Sequence, residues 1–185
     1  MGTIKATNIE PIADNGTVTL GSSGDTLTVP TGVTVSGGVA NTPAFSVYGS
    51  AQTGVTENVS TLSVFTSEHY DTDNAFDTSA SNYKFTVPSG KAGKYHFSVI
   101  MGLTGNTSQI FLDEVVLYKN GSGFYNLYFW RSASQRYQTN YVGGSATLNL
   151  AVGDYIQVYS RNRTSDSSTV THTGYVFTGH RLTGV

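Results

Sequence analysis

The sequence predicts an all-β protein built as a sandwich or jelly roll, and three observations support this fold class. Apolar residues recur at every second position in many short runs, which is the period of a half-buried strand. Gly, Asn, Asp and Ser separate these runs, as they do in turns between strands. Helical spacing of apolar residues is never sustained, and Glu occurs only four times in 185 residues.

Seven runs carry the alternating pattern, and each is predicted to be a strand. They span Tyr83–Val87, Lys94–Met101, Gln109–Lys119, Phe124–Arg131, Ala146–Leu150, Tyr155–Arg161 and Tyr175–Leu182. In the second run, one face carries the large side chains Tyr95, Phe97, Val99 and Met101. We expect such faces to fill the core of the sandwich. Asn120-Gly121 predicts a hairpin turn, because both positions tolerate a positive φ.

Composition and charge exclude several classes of partner. The formal net charge is −2, and the 10 Lys and Arg residues are scattered, whereas nucleic-acid binding needs clustered basic residues. The chain has no Cys, which excludes disulfides and thiolate metal sites. No apolar run approaches the ~20 residues of a membrane-spanning helix. Residues 1–5 lack the apolar stretch of a secretory signal, so we expect synthesis in the cytoplasm without a signal peptide.

The composition changes near residue 41, which predicts two regions. Residues 1–40 contain no aromatic side chain, whereas residues 41–185 are rich in them. The first region contains short apolar triplets that have no core of their own, among them Leu27-Thr28-Val29 and Val33-Thr34-Val35. We therefore predict that residues 1–40 form a β-rich stalk for attachment and trimerisation. In this hypothesis Leu27, Val29, Val33 and Val35 pack against other subunits rather than against the head.

The second region resembles the C1q-like globular domain of the C1q/tumour necrosis factor superfamily. The resemblance is carried by Gly93-Lys94-Tyr95-His96-Phe97, Lys119-Asn120-Gly121, Leu148-Asn149-Leu150 with Gly153-Asp154, and Phe177-Thr178-Gly179-His180-Arg181-Leu182. It implies a jelly-roll sandwich that assembles as a homotrimer. It also implies that aromatic residues line the three-fold axis, so we expect Phe45 and Phe177 to contribute to trimer packing.

The first region is similar to a recurring segment of tailed-phage fibre proteins, especially those of marine phages. The similar pieces are Ile4–Pro11 and the stretch from Gly21 to Gly32 that contains Asp25-Thr26-Leu27-Thr28-Val29-Pro30. The two resemblances together predict a tail-fibre or other virion appendage protein, located in the virion. They imply that residues 1–40 contact other tail or capsid proteins.

An aromatic tract at Phe124–Arg131 is the most conspicuous candidate for ligand contact. One face of this aromatic strand can pack inside the sandwich. The other face must be covered by a neighbouring subunit or by a ligand, and both alternatives remain open. Aromatic rings beside Arg suit sugar rings. The candidate receptor-binding residues are Tyr125, Tyr128, Trp130, Arg131, Arg136 and Tyr137, with Arg161 and Arg163 from a second loop.

Acidic residues at Asp71, Asp73 and Asp77 superficially suggest calcium. An EF-hand fails here, because its fifth, sixth and twelfth positions hold Ala75, Phe76 and Asn82. A different oxygen cage stays open, but turn capping is the favoured interpretation. His69, His172 and His180 are isolated in the sequence, so no metal and no cofactor is predicted.

An enzymatic function is not predicted. Glycoside hydrolysis needs two carboxylates across a cleft, whereas Asp113 and Glu114 are neighbours on one strand and must point to opposite faces. No Gly-x-Ser-x-Gly nucleophile motif occurs. A depolymerase is therefore a disfavoured alternative. A secreted C1q-like lectin is disfavoured for a different reason, the missing signal peptide.

The sequence predicts a trimeric head that binds a host-surface glycan or protein without catalysis. The alternative is a structural trimerisation cap or virion decoration that has no receptor of its own. Neither nucleic acid nor membrane insertion is expected.

Overall fold

The computed structural model describes residues 41–106 and 109–182, together with Thr26 and Thr31. The chain divides into the units Met1–Ser36 and Gly37–Val185, and the second unit contains every strand described below. The stalk prediction for residues 1–40, including the packing of Leu27, Val29, Val33 and Val35, lies outside the described residues. It stays a prediction.

Eleven strands make up the described part of the second unit. They are β1 (Ala44–Val55), β2 (Thr61–Leu62), β3 (Ser67–Asp71), β4 (Phe76–Asp77), β5 (Lys84–Thr86), β6 (Gly93–Gly105), β7 (Ile110–Lys119), β8 (Ser122–Arg131), β9 (Thr139–Leu150), β10 (Tyr155–Thr164) and β11 (Val170–Arg181).

The strands form two antiparallel sheets that face each other. Sheet A has the order β3-β1-β11-β6-β9. Sheet B has the order β4-β5-β10-β7-β8, and β2 pairs with β10 beside this path. The described residues contain no helix, and so none that would be long and apolar enough to cross a membrane. The predicted all-β jelly-roll sandwich is confirmed.

The predicted strands and their inward faces match the structure closely. All seven predicted runs overlap strands β5 to β11. The alternation on β6 places Tyr95, Phe97, Val99 and Met101 in the core, each at most 2% exposed. The Asn120-Gly121 turn has φ values of 52° and 81°, as a tight hairpin with two left-handed residues requires.

The core between the sheets is mainly aromatic. The Phe45 ring lies 5.0 Å from Phe177 and 5.1 Å from Phe85, measured between ring centroids. Gly179 makes this packing possible, because a Cβ there would come within 2.5 Å of the Phe45 ring. Phe45 and Phe177 are 1% and 0% exposed within a single chain, so the prediction that they pack between subunits is wrong. Both side chains point inward from β1 and β11, so they pack in the core of their own chain.

Several buried polar side chains lie among the described residues, and two clusters of them are centred on His172 and on Asp113. The Ser160 hydroxyl lies 2.9 Å from His172 Nε2, and His172 Nδ1 lies 3.2 Å from Gln52 Oε1. Because Gln52 donates its amide N–H to the Leu62 carbonyl, its oxygen faces His172, and Nδ1 therefore carries the proton. His172 is completely buried, and burial lowers its pKa to about 4.

The second polar cluster is centred on Asp113 of β7. Its two carboxylate oxygens accept hydrogen bonds from the side-chain amides of Asn140, at 2.9 Å, and Asn162, at 3.0 Å. Asp113 is fully buried, and burial raises its pKa above the ordinary value although both hydrogen bonds act in the opposite direction.

Candidate functional site

An open groove of about 510 Å³ crosses the outer face of sheet B. Its lining includes Glu114, Val116, Tyr118, Phe124, Asn126 and Arg161. We take this groove, called the sheet B groove below, as the candidate functional site because it combines aromatic rings with charged and amide groups in one concave surface.

The alternation of β7 explains why these side chains meet. Asp113, Val115 and Leu117 are buried in the sandwich, so the residues between them, Glu114, Val116 and Tyr118, are carried on the outer face. This confirms the prediction that Asp113 and Glu114 point to opposite faces. Arg161 on β10 is the direct cross-strand partner of Glu114, which brings the two opposite charges together.

An ion pair forms the polar part of the groove. Arg161 donates from Nε and Nη2 to the same oxygen, Glu114 Oε2, and both distances are 2.8 Å. The Glu114 side chain is only 14% exposed, whereas that of Arg161 is 37% exposed. The carboxylate is therefore held in one orientation between two strands, and the guanidinium remains accessible from solvent.

Aromatic residues form the rest of the groove wall. Tyr118 stacks on Tyr159 with ring centroids 3.9 Å apart and an interplanar angle of 26°, which fixes its orientation. Gly123 lies opposite Tyr118 in the β7–β8 pairing. Phe124 is 56% exposed, a large value for an aromatic side chain in a strand.

Irregular pairing of β8 changes which residues face the groove. The register shifts once between Val115 and Val116 and again between Leu117 and Tyr118. Such shifts re-aim the side chains that follow them. As a result, Val116 pairs with Asn126, and Phe124 lies at the second irregularity, so both residues reach the groove lining.

Several arginines lie close together at one end of sheet B, next to the groove. Arg136 and Arg163 both lie over the Phe111 ring, with guanidinium carbons 5.3 and 5.4 Å from its centroid. Arg131 and Arg163 both pair with Leu112, one from β8 and the other from β10. The basic residues are thus scattered in the sequence, but the fold places several of them beside one another.

The structure places six of the eight predicted receptor-binding residues in three pairs. Tyr125 and Arg161 line the groove, Arg136 and Arg163 meet at Phe111, and Trp130 lies 5.1 Å from Tyr137 between ring centroids. Tyr128 packs against the core. Arg131 is exposed at the end of β8. The expectation that Arg161 and Arg163 come from a loop is wrong, because both lie on β10, which continues to Thr164.

Sequence reasoning missed the residues that complete the groove. Glu114, Tyr118 and Asn126 were not among the predicted ligand contacts. The alternation on β7 already placed Glu114 and Tyr118 on one face, and this signal could have identified them. Nothing in the sequence indicated that Asn126 faces Val116, because that pairing depends on the irregular register of β8.

The acidic residues at the end of β3 and in β4 cap turns. The Asp71 carboxylate accepts hydrogen bonds from the backbone N–H groups of Asp73 and Phe76, at 3.2 and 2.7 Å. Asp77 accepts from the Ser79 N–H and the Asn82 amide, and the hydrogen bonds from Ser79 lower its pKa most. These contacts agree with the turn-capping interpretation.

The histidines lie in separate environments. His69 stacks on Tyr48 at 4.5 Å between ring centroids, and His172 is buried in the core. His180 is the cross-strand partner of His96, and their rings are 5.6 Å apart on the outer face of sheet A. Among the described residues, no group of three or more His, Cys, Asp or Glu side chains has an arrangement suited to a metal ion.

Comparison with known structures identifies the fold. The chain is similar to the structure titled globular domain of zebrafish complement 1qA protein, with a TM-score of 0.51 and 18% sequence identity. The match covers 76% of this chain and 97% of that one. The fold is that of a C1q globular domain. No family model and no curated protein matches the sequence.

Proposed function

We propose that this protein is a trimeric virion appendage whose C1q-like head binds a receptor on the host surface without catalysing a reaction. The observation that carries the proposal is the sheet B groove, an open concave surface formed by side chains of β7, β8 and β10. The resemblance of residues 1–40 to segments of tailed-phage fibre proteins supports a location in the virion. In this proposal those residues form the stalk and contact other tail or capsid proteins.

The outer face of sheet A supports assembly through that face. Ile100 and Tyr141 are 53% and 69% exposed there, beside Gly102 and Gly143. Small hydroxyl residues lie near them on this face, including Ser98, Thr178 and Ser145. Exposed apolar side chains among small residues suit the close approach of a second subunit. Assembly through sheet A would leave the three grooves on sheet B open to solvent.

The positions of the carboxylates support binding without catalysis. A glycosidase needs two carboxyl groups on either side of one glycosidic bond. Asp113 points into the sandwich, and the Glu114 carboxylate is held by Arg161 on the outer face. We therefore expect the protein to hold its ligand and leave the ligand chain intact.

A cell-binding measurement tests the proposal. The full chain is labelled with a fluorophore and mixed with a panel of marine bacterial strains, and the same protein after heat denaturation serves as the control. We expect binding to a subset of strains, with no release of reducing ends from their polysaccharides. Binding to no strain would favour a structural cap or virion decoration. Release of reducing ends would contradict the non-catalytic part of the proposal.

A further inference from the structure

We propose that the sheet B groove binds a pyranose sugar ring through two adjacent hydroxyl groups. This inference rests on the proposed function, because it names the chemical class of the host-surface ligand. It assigns the hydroxyl groups to Glu114 and Arg161, and the apolar face of the ring to the aromatic wall that contains Phe124.

The Glu114–Arg161 pair presents an acceptor beside a donor. Both Arg161 nitrogens that bond to Glu114 use the single oxygen Oε2. Among the hydrogen bonds of the described residues, Glu114 Oε1 accepts none and Arg161 Nη1 donates none, and both residues line the groove. A vicinal diol matches this arrangement, because one hydroxyl donates to the carboxylate while its neighbour accepts from the guanidinium.

The aromatic part of the groove fits the apolar C–H face of a sugar ring. A pyranose has a C–H face that packs on aromatic rings, while its hydroxyl groups point to the sides. Phe124 and Tyr118 supply rings, and Val116 on β7 adds an apolar surface. Asn126 contributes an amide, which has both a donor and an acceptor for further hydroxyl groups.

Charge and desolvation disfavour simpler ligands. A small inorganic anion would lie against the Glu114 carboxylate, whose charge already neutralises Arg161. A purely apolar ligand would remove water from this ion pair without replacing its hydrogen bonds, which is costly. A polyhydroxylated ring avoids both penalties.

The groove is organised before the ligand arrives. Glu114 and Arg161 are cross-strand partners inside a sheet, and Tyr118 is fixed by stacking on Tyr159. Little side-chain entropy is therefore lost on binding. A single shallow groove of this kind gives weak affinity, and three grooves on one trimer would raise the avidity for a repeating polysaccharide.

The test uses bacterial surface polysaccharides printed in pairs, one untreated and one oxidised with periodate, which cleaves vicinal diols. We expect the full chain to bind some untreated polysaccharides and to lose that binding after oxidation. Phe124→Ala and Glu114→Gln should each weaken binding about tenfold or more. Val152→Ala is the control, because Val152 is an apolar side chain of similar exposure, 52%, that lies in the turn between β9 and β10 and does not line the groove.

Each other outcome overturns the inference. Binding that survives oxidation excludes the diol, and an equal loss in Val152→Ala places the ligand outside the groove. Melting curves of the variants separate a loss of binding from a loss of folding. If strains are bound but no polysaccharide is, the sugar assignment fails while the proposed function stands. If neither strains nor polysaccharides are bound, both fail.

Discussion

Acidification should destabilise the head through His172, and replacing this residue should remove that effect. His172 has no exposed surface, and burial holds its pKa at about 4 instead of 6.5. Because the folded pKa is lower than the unfolded one, the unfolded chain takes up a proton first as the pH falls. The contribution of His172 to the free energy of unfolding is therefore fully present above pH 6.5. It declines between pH 6.5 and 4 and is constant below that range.

The size of the effect follows from linkage. One unit of pKa difference corresponds to about 1.4 kcal/mol. At pH 5 the unfolded state of His172 is protonated and the folded state is almost entirely neutral, so about 2 kcal/mol of unfolding free energy is lost relative to pH 7.5. Asp113 acts with the opposite sign, because its folded pKa is raised. The wild-type curve alone therefore does not isolate the histidine.

Urea denaturation of wild type and His172→Gln at pH 7.5 and 5.0 isolates the effect at one protein concentration. Glutamine keeps a donor and an acceptor for Ser160 and Gln52 but does not titrate. We expect the wild type to lose about 2 kcal/mol more than the variant between the two pH values. Equal losses in wild type and His172→Gln would refute the reasoning.

Three further predictions concern single residues. Asp113→Asn removes a buried carboxylate whose ionisation lowers the stability of the wild type as the pH rises. The stability of the variant relative to the wild type should therefore increase from pH 4 to 7.5. Denaturation at the two pH values measures this difference, and a constant difference contradicts the prediction. Hydrogen bonds from Lys119 and Asn120 hold the pKa of Asp154 at about 2. The stability that this carboxylate contributes is therefore lost as the pH falls from 3.8 toward 2. Thermal melts should show that loss in the wild type and not in Asp154→Asn. Gly179→Ala should cost about 1–3 kcal/mol of unfolding free energy, because its Cβ would meet the Phe45 and Phe97 rings. The control Ser122→Ala, at the exposed start of β8, should change stability by less than about 0.5 kcal/mol. Equal melting temperatures for the two variants would be inconsistent with the packing described.

The sandwich could be predicted because successive residues of a strand face opposite sides of the sheet. Apolar residues at every second position therefore mark the side that is buried. On β6 a single run of alternating residues was enough to identify the buried face. The Asn120-Gly121 turn was equally readable, since few residue pairs adopt two consecutive left-handed conformations. Both features are local, so a single stretch of chain carries all the information.

The buried polar groups and the groove could be predicted only in part. Phe45 and Phe177 show the difficulty, because an inward strand position and a subunit contact produce the same apolar pattern. The hydrogen bonds of His172 join β1, β10 and β11, which are more than a hundred residues apart at the extremes. The groove depends on cross-strand register, and two irregularities in β8 decide which aromatic residues enter it.

The mass of the assembly in solution tests whether the head acts as a trimer. Light scattering on the full chain after size exclusion gives this mass without reference to shape. Three chains of 19.7 kDa predict about 59 kDa, with the sheet B grooves accessible on each subunit. A stable mass of 19.7 kDa would contradict the proposed assembly and remove the gain in avidity expected from three grooves.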